Sequence, residues 1–161
     1  MNSYIILAIL VGIPIVSAVL FRISGILLFV GAATGIFLSQ YIAEDTNIVL
    51  NSFTNNSNFD QYVKLALLLM PVLLVIVFLR KTVSAGQLVL HIVPIVVTSA
   101  ALATVAMHLM PGGVAYNLLQ NPFGKTANTS QNILISASAL LTLILALLTA
   151  RHRGGRGKHH R

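Results

Sequence analysis

Apolar residues in this chain run in long blocks, and short polar clusters separate the blocks instead of alternating within them. Five blocks approach the length of about 20 helical residues needed to cross roughly 30 Å of hydrocarbon. They are Tyr4–Phe21, Ile23–Ala43, Tyr62–Leu79, Gly86–Met110 and Asn132–Ala150. Arg22, Glu44-Asp45, Arg80-Lys81, Pro111-Gly112-Gly113 and Arg151 close them in turn. A membrane barrel would need segments of about ten residues that alternate apolar and polar. Runs such as Leu65-Ala66-Leu67-Leu68-Leu69-Met70 do not alternate, so the pattern predicts helices. The expected fold is all-α: a polytopic transmembrane bundle of about five spans, forming one domain over 1–150. A basic tail, 151–161, follows and is expected to be disordered. Of the two polar stretches, 46–61 and 114–131, the second leaves room for a re-entrant or interfacial piece within Val114–Phe123.

Composition strengthens this picture. The chain of 161 residues is 57% hydrophobic and 8% charged, with a mean hydropathy of +0.90. A soluble domain carries about 25% charged residues to solvate its surface, and a chain this short could not hide so much apolar surface from water. A lipid bilayer is the implied partner. The N-terminal Met1-Asn2-Ser3 is neutral, so the first block lacks the positive flank of a signal peptide and is expected to remain as a span. Cysteine is absent, which excludes a disulfide framework and thiolate chemistry.

The net charge of +7 changes the picture in one respect, because its distribution is uneven. Five of the ten Lys and Arg lie within Arg151–Arg161, which points to a topology determinant touching anionic headgroups and away from nucleic acid. If the tail is cytoplasmic, Arg22, Arg80, Lys81 and the five tail cations, Arg151 and Arg153 among them, share the inner side. Lys64, Lys125 and the three acidic residues then lie outside. Five spans put the N-terminus outside, and the bacterial plasma membrane is the expected location.

Few residues offer chemistry. Gly31 and Gly35 form a GxxxG, with Gly25 six residues earlier, and Ser138, Thr142, Ala146 and Ala150 recur every four residues. Small residues at this spacing let helices approach closely, either within the chain or between copies. Pro14, Pro71 and Pro94 fall inside spans and each removes one backbone hydrogen bond. His91 near the inner boundary of the fourth span and His108 near the outer one read first as interfacial histidines with wetted polar tips; His91 with Pro94 is also the candidate for a polar pathway, since ionisable groups within a bilayer are commonly functional. His108 shares the fourth span but lies 17 residues away, about 25 Å along a helix, so the two histidines cannot hold one metal. Asp60 and Lys64 are spaced for an i,i+4 ion pair. Asn55-Asn56-Ser57 and Asn128-Thr129-Ser130 are glycosylation sequons on the expected outer side. Ser136, Ser138 and Thr142 have no neighbouring base and read as interhelical donors. No cofactor or metal site is expected.

The first span, the basic turn Phe21-Arg22-Ile23-Ser24-Gly25 and the Gly-containing second span together resemble in layout the CvpA family, membrane proteins linked to colicin V production and secretion. The likeness covers a quarter of the chain and rests on a hairpin generic to membrane proteins. The chain departs in the Ile-Ser between Arg22 and Gly25 and in its fifth span, so no family residues are carried over. Three functions follow as expectations. The first is a non-enzymatic subunit, scaffold or assembly factor working through helix contacts, with itself or with other membrane subunits. The second is an oligomeric transporter or channel component, and the third, least supported by the residues, is a membrane enzyme.

Overall fold

The computed structural model of the protein describes residues 3–42, 59–84 and 86–154. The described residues form helices and no strand. In chain order these are α1 Ser3–Leu20, α2 Gly25–Phe37, α3 Phe59–Phe78, α4 Leu88–Leu109, α5 Gly112–Gln120, α6 Pro122–Thr129 and α7 Gln131–Gly154. A wider π turn, Leu38–Ile42, continues α2. Glu44, Asp45 and the Asn55-Asn56-Ser57 sequon lie outside the described residues.

Three of these helices are long and apolar enough to cross a membrane: Phe59–Phe78, Leu88–Leu109 and Gln131–Ala150. Tyr4–Leu20 and Gly25–Tyr41 are shorter apolar helices. The first two blocks read as one helix each, but residues 21–24 between them are spent on a turn, which shortens both. Pro111 ends α4's run, as the Pro-Gly-Gly predicts, and acts as the N-cap residue of α5. The polar stretch after it folds into α5 and α6, too short to cross a bilayer. At the far end α7 continues past Ala150 to Gly154, and the rest of the basic tail, 155–161, lies outside the described residues.

α4 is the centre of the bundle. Its span is 56% buried, against 17% for α3 and for the Gln131–Ala150 part of α7, and it touches each of the other described α-helices. Ala101 to Met107 are buried without a break. The cause is the run Ser99-Ala100-Ala101-Leu102-Ala103-Thr104-Val105-Ala106, whose small side chains make a thin helix that neighbours can surround. Exposed apolar residues lie on the outer helices, such as Ile9, Ile13 and Val16 on α1 and Leu143, Ile144 and Leu147 on α7, and on the first half of α4, at Val89, Leu90 and Val93.

α2 reaches its neighbours through glycines. A Cβ at Gly31 would lie 2.9 Å from Val75 Cγ2 and 3.3 Å from the Pro71 carbonyl oxygen. A Cβ at Gly35 would collide with the Leu68 carbonyl oxygen, with the Leu68 Cα only 3.2 Å away. The GxxxG face is therefore occupied by α3 of the same chain. Gly12, on α1, has nothing within 4 Å of such an atom. Gly35→Ala should accordingly force α2 and α3 apart and lower stability by about 1–3 kcal/mol, the usual cost of overpacking. Gly12→Ala should leave the midpoint of thermal denaturation in mild detergent unchanged or slightly raised.

Candidate functional site

The connections at one end of the bundle are strapped together. α1 ends in a Schellman arrangement: the Ile23 N–H donates to the Ala18 carbonyl at 2.9 Å and the Arg22 N–H to that of Val19 at 3.2 Å. Ile23 and Ala18, the apolar pair such a motif brings together, are both fully buried. The motif places Arg22 in the left-handed region, at φ 52°. After α3, Lys81 adopts the same conformation, at φ 59°. Its N–H donates across to the Phe21 carbonyl at 2.8 Å, and the Val83 N–H donates to the Arg22 carbonyl at 3.1 Å. The Ser24 N–H donates to Thr82 Oγ1 at 2.9 Å. The Arg80 guanidinium carbon stands 4.6 Å from the centroid of the Phe21 ring, within cation–π range.

The same turn starts α2, and this is where His91 enters. Ser24 is the N-cap, and its Oγ accepts from the Ile26 N–H at 3.3 Å. The Gly25 N–H, one of the amides that a helix start leaves without an internal partner, donates to His91 Nδ1 at 3.1 Å. An amide can only donate, so Nδ1 is the acceptor and the ring proton resides on Nε2. His91 is buried, at 5% exposure, and Ser24 Oγ lies 3.4 Å from the same nitrogen. Close approach depends on Gly25, whose absent Cβ would lie 3.1 Å from Pro94 Cβ and 3.2 Å from the His91 carbonyl oxygen. His91 and Pro94 thus meet the start of α2 as a capping pair.

The other sequence candidates fall elsewhere. Ser138 is buried and donates to the Ile135 carbonyl at 2.7 Å. Thr142 is buried one turn further on α7, and its hydroxyl, like those of Thr98 and Ser99 on α4, finds no hydrogen-bond partner. A cavity of about 250 Å³ between α2, α4 and α7 is lined by Phe29, Ala33, Leu102, Thr98 and Ser138 among others. His108 is at the opposite end of α4 from His91, with Nδ1 2.9 Å from the Thr104 carbonyl and Nε2 2.9 Å from Asn128 Oδ1. It joins α4 to α6 and holds the sequon asparagine. Lys64 pairs with Asp60 at 2.9 Å. The backbone at Arg151 and Arg153 is helical, while their side chains lie outside what is described. Among the described residues there is no group of three or more His, Cys, Asp or Glu able to hold a metal.

Two features escaped the sequence reading. One is the role of His91, although Ser24-Gly25 at a span start is an N-cap signal. The other is that all four tyrosines of the chain, Tyr4, Tyr41, Tyr62 and Tyr116, are exposed. The helix directions bring them to the end opposite Arg22, Arg80 and Lys81, where Tyr4 packs edge-on against Phe123 at 6.4 Å. Their closeness to span ends was the available signal.

Comparison of the chain with protein-family models, with curated proteins and with solved structures found no match. The CvpA-like layout of the first hairpin is therefore unaccompanied by a family match.

His91→Ala would leave the buried Gly25 N–H unpaired and should cost about 1–3 kcal/mol. Hydrogen exchange at the Gly25 amide should accelerate together with the fall in denaturation midpoint. His91→Gln, which retains an acceptor, should recover part of both.

Proposed function

We propose that this protein is a non-enzymatic component of a membrane complex, a subunit, scaffold or assembly factor that works through helix contacts. It crosses the bilayer five times, with α5 and α6 lying at one interface, its N-terminus outside and its C-terminal tail in the cytoplasm. The bacterial plasma membrane is its location. The observation that carries the reading is the use made of His91. The buried ionisable side chain of the central helix accepts a backbone N–H from α2, so its polarity serves to join helices. The two ends support the orientation. Tyrosine is favoured at membrane interfaces, and cations are favoured on the cytoplasmic side. Here the tyrosines gather at one end and Arg22, Arg80 and Lys81 at the other.

Partners of two kinds follow. The exposed apolar faces of α1, α3 and α7 contact lipid, another copy or another membrane subunit, and the tail cations contact anionic headgroups. The Gly31/Gly35 face is already filled by α3, so association between copies uses another surface. A transporter or channel component is the second reading. It draws on the cavity beside Thr98 and on the unpaired hydroxyls of Thr98, Ser99 and Thr142, since buried hydroxyls in apolar surroundings normally find a partner.

Purification of the tagged chain in mild detergent should recover a stoichiometric membrane partner or a defined oligomer. A bare monomer that catalyses solute flux in proteoliposomes would replace this reading with the second. Reporter fusions should place the C-terminus in the cytoplasm; an external C-terminus would invert the proposed topology.

A further inference from the structure

The strapped turns at the cationic end do more than close the bundle. Arg22 comes from one connection and Arg80 and Lys81 from another 58 residues later, yet three short backbone and side-chain bonds hold the two together. All three cationic residues are exposed. The described carboxylate, Asp60, is at the far end of α3, paired with Lys64.

We infer that this clamp is a binding site for the phosphate of an anionic phospholipid headgroup, with Arg80, Lys81 and Arg22 as its ligands. The inference rests on the membrane reading above, and it concerns the folded clamp and not the tail.

The backbone supplies the first argument. Arg22 and Lys81 are the non-glycine residues with positive φ among those described. At the residue just past a helix end, glycine adopts this conformation without strain, whereas a residue with a Cβ is strained there. Both positions carry a cation instead. Strain retained at paired positions is a mark of function when the surrounding structure enforces it; here the Schellman bonds hold Arg22 and the bond from the Lys81 N–H to the Phe21 carbonyl holds Lys81.

Arg80 supplies the second. Its guanidinium carbon lies over the Phe21 ring at 4.6 Å, a contact that limits the side chain's freedom. The planar guanidinium fork matches two phosphate oxygens at once, and a side chain already held loses less freedom on binding. Lys81 and Arg22 add two positive charges beside it.

The surroundings choose a lipid over free phosphate. Leu20 and Phe78, at the ends of α1 and α3 next to the cations, are among the most exposed apolar side chains, at 71% and 77%. They provide the apolar flank along which acyl chains lie below the headgroup. A soluble anion has no use for them.

The test compares the full chain, a clamp variant (Arg22→Gln, Arg80→Gln, Lys81→Gln), and a tail variant with its five terminal cations changed to Gln. Native mass spectrometry would count lipids retained from micelles holding equal phosphatidylglycerol and phosphatidylcholine. The parent and the tail variant should retain phosphatidylglycerol preferentially. The clamp variant should lose that preference by about tenfold or more, the equivalent of one charge-assisted hydrogen bond. Arg22→Gly with Lys81→Gly removes two charges while relaxing the backbone, so its loss of preference could not be blamed on unfolding. Carbonate extraction reports insertion separately, so a failure of the membrane reading is visible as such. Undiminished preference in the clamp variant, or its complete loss in the tail variant, would overturn the inference. Stabilisation of the parent by inorganic phosphate, with no preference between the lipids, would overturn the lipid assignment.

Discussion

The N–H of Gly25 has no partner inside its own helix, and water is the usual remedy where a helix begins. In this protein the remedy is His91 Nδ1. A buried backbone amide left unpaired costs about 1–3 kcal/mol, so the bond ties the start of α2 to one place on α4. Much of the remaining geometry follows from it. With Gly25 seated against Pro94, α2 rises alongside α4, and its other small face, at Gly31 and Gly35, turns toward α3. α3 then ends beside the turn between α1 and α2, where Lys81 and Val83 donate to Phe21 and Arg22. A single cap thus sets the relation of four helices.

The central position of α4 is the second constraint. Where neighbours surround it, from Ala101 to Met107, α4 must be thin, and the alanine-rich stretch from Ala100 to Ala106 makes it so. It must also leave few polar groups unpaired. Thr104 satisfies its hydroxyl on the Ala100 carbonyl at 2.7 Å, whereas Thr98 and Ser99 do not. Those two hydroxyls, with Thr142 on the facing helix, are where the interior departs from pure packing. Elsewhere the tyrosines lie at one end, and Arg22, Arg80 and Lys81 at the other.

The fold was legible wherever long apolar runs dictate helices. Long apolar blocks, the Pro111-Gly112-Gly113 stop and the charged boundaries at Arg22 and Arg80-Lys81 locate the apolar helices to within a few residues. The helix ends were less legible. Ile23 and Ser24 look like the start of a span, but the first is drawn into the Schellman contact with Ala18 and the second serves as N-cap. α7 runs on past Ala150 to Gly154, since a helix already formed adds residues more easily than it starts. Of the candidate site, the residue types were visible and their relations were not. Gly31 and Gly35 signal close contact without naming the neighbour, and His91 signals a polar task without naming its partner.

By itself, the sequence determined that this chain is helical, that its helices are apolar around most of their surface, and where its cations and aromatic residues lie along it. Those properties are local, set by side-chain solvation and helix period, and need no knowledge of neighbours. Only the tertiary structure decided that the GxxxG faces α3, that His91 caps α2, and that the turns carrying Arg22 and Arg80-Lys81 are bonded to one another. Each of these joins residues far apart in the chain through one donor, one acceptor or one missing Cβ, and exposed and helix-facing positions are alike in being apolar. With no difference in hydrophobicity to distinguish them, the choice of neighbour falls to packing and to the few backbone groups left unpaired.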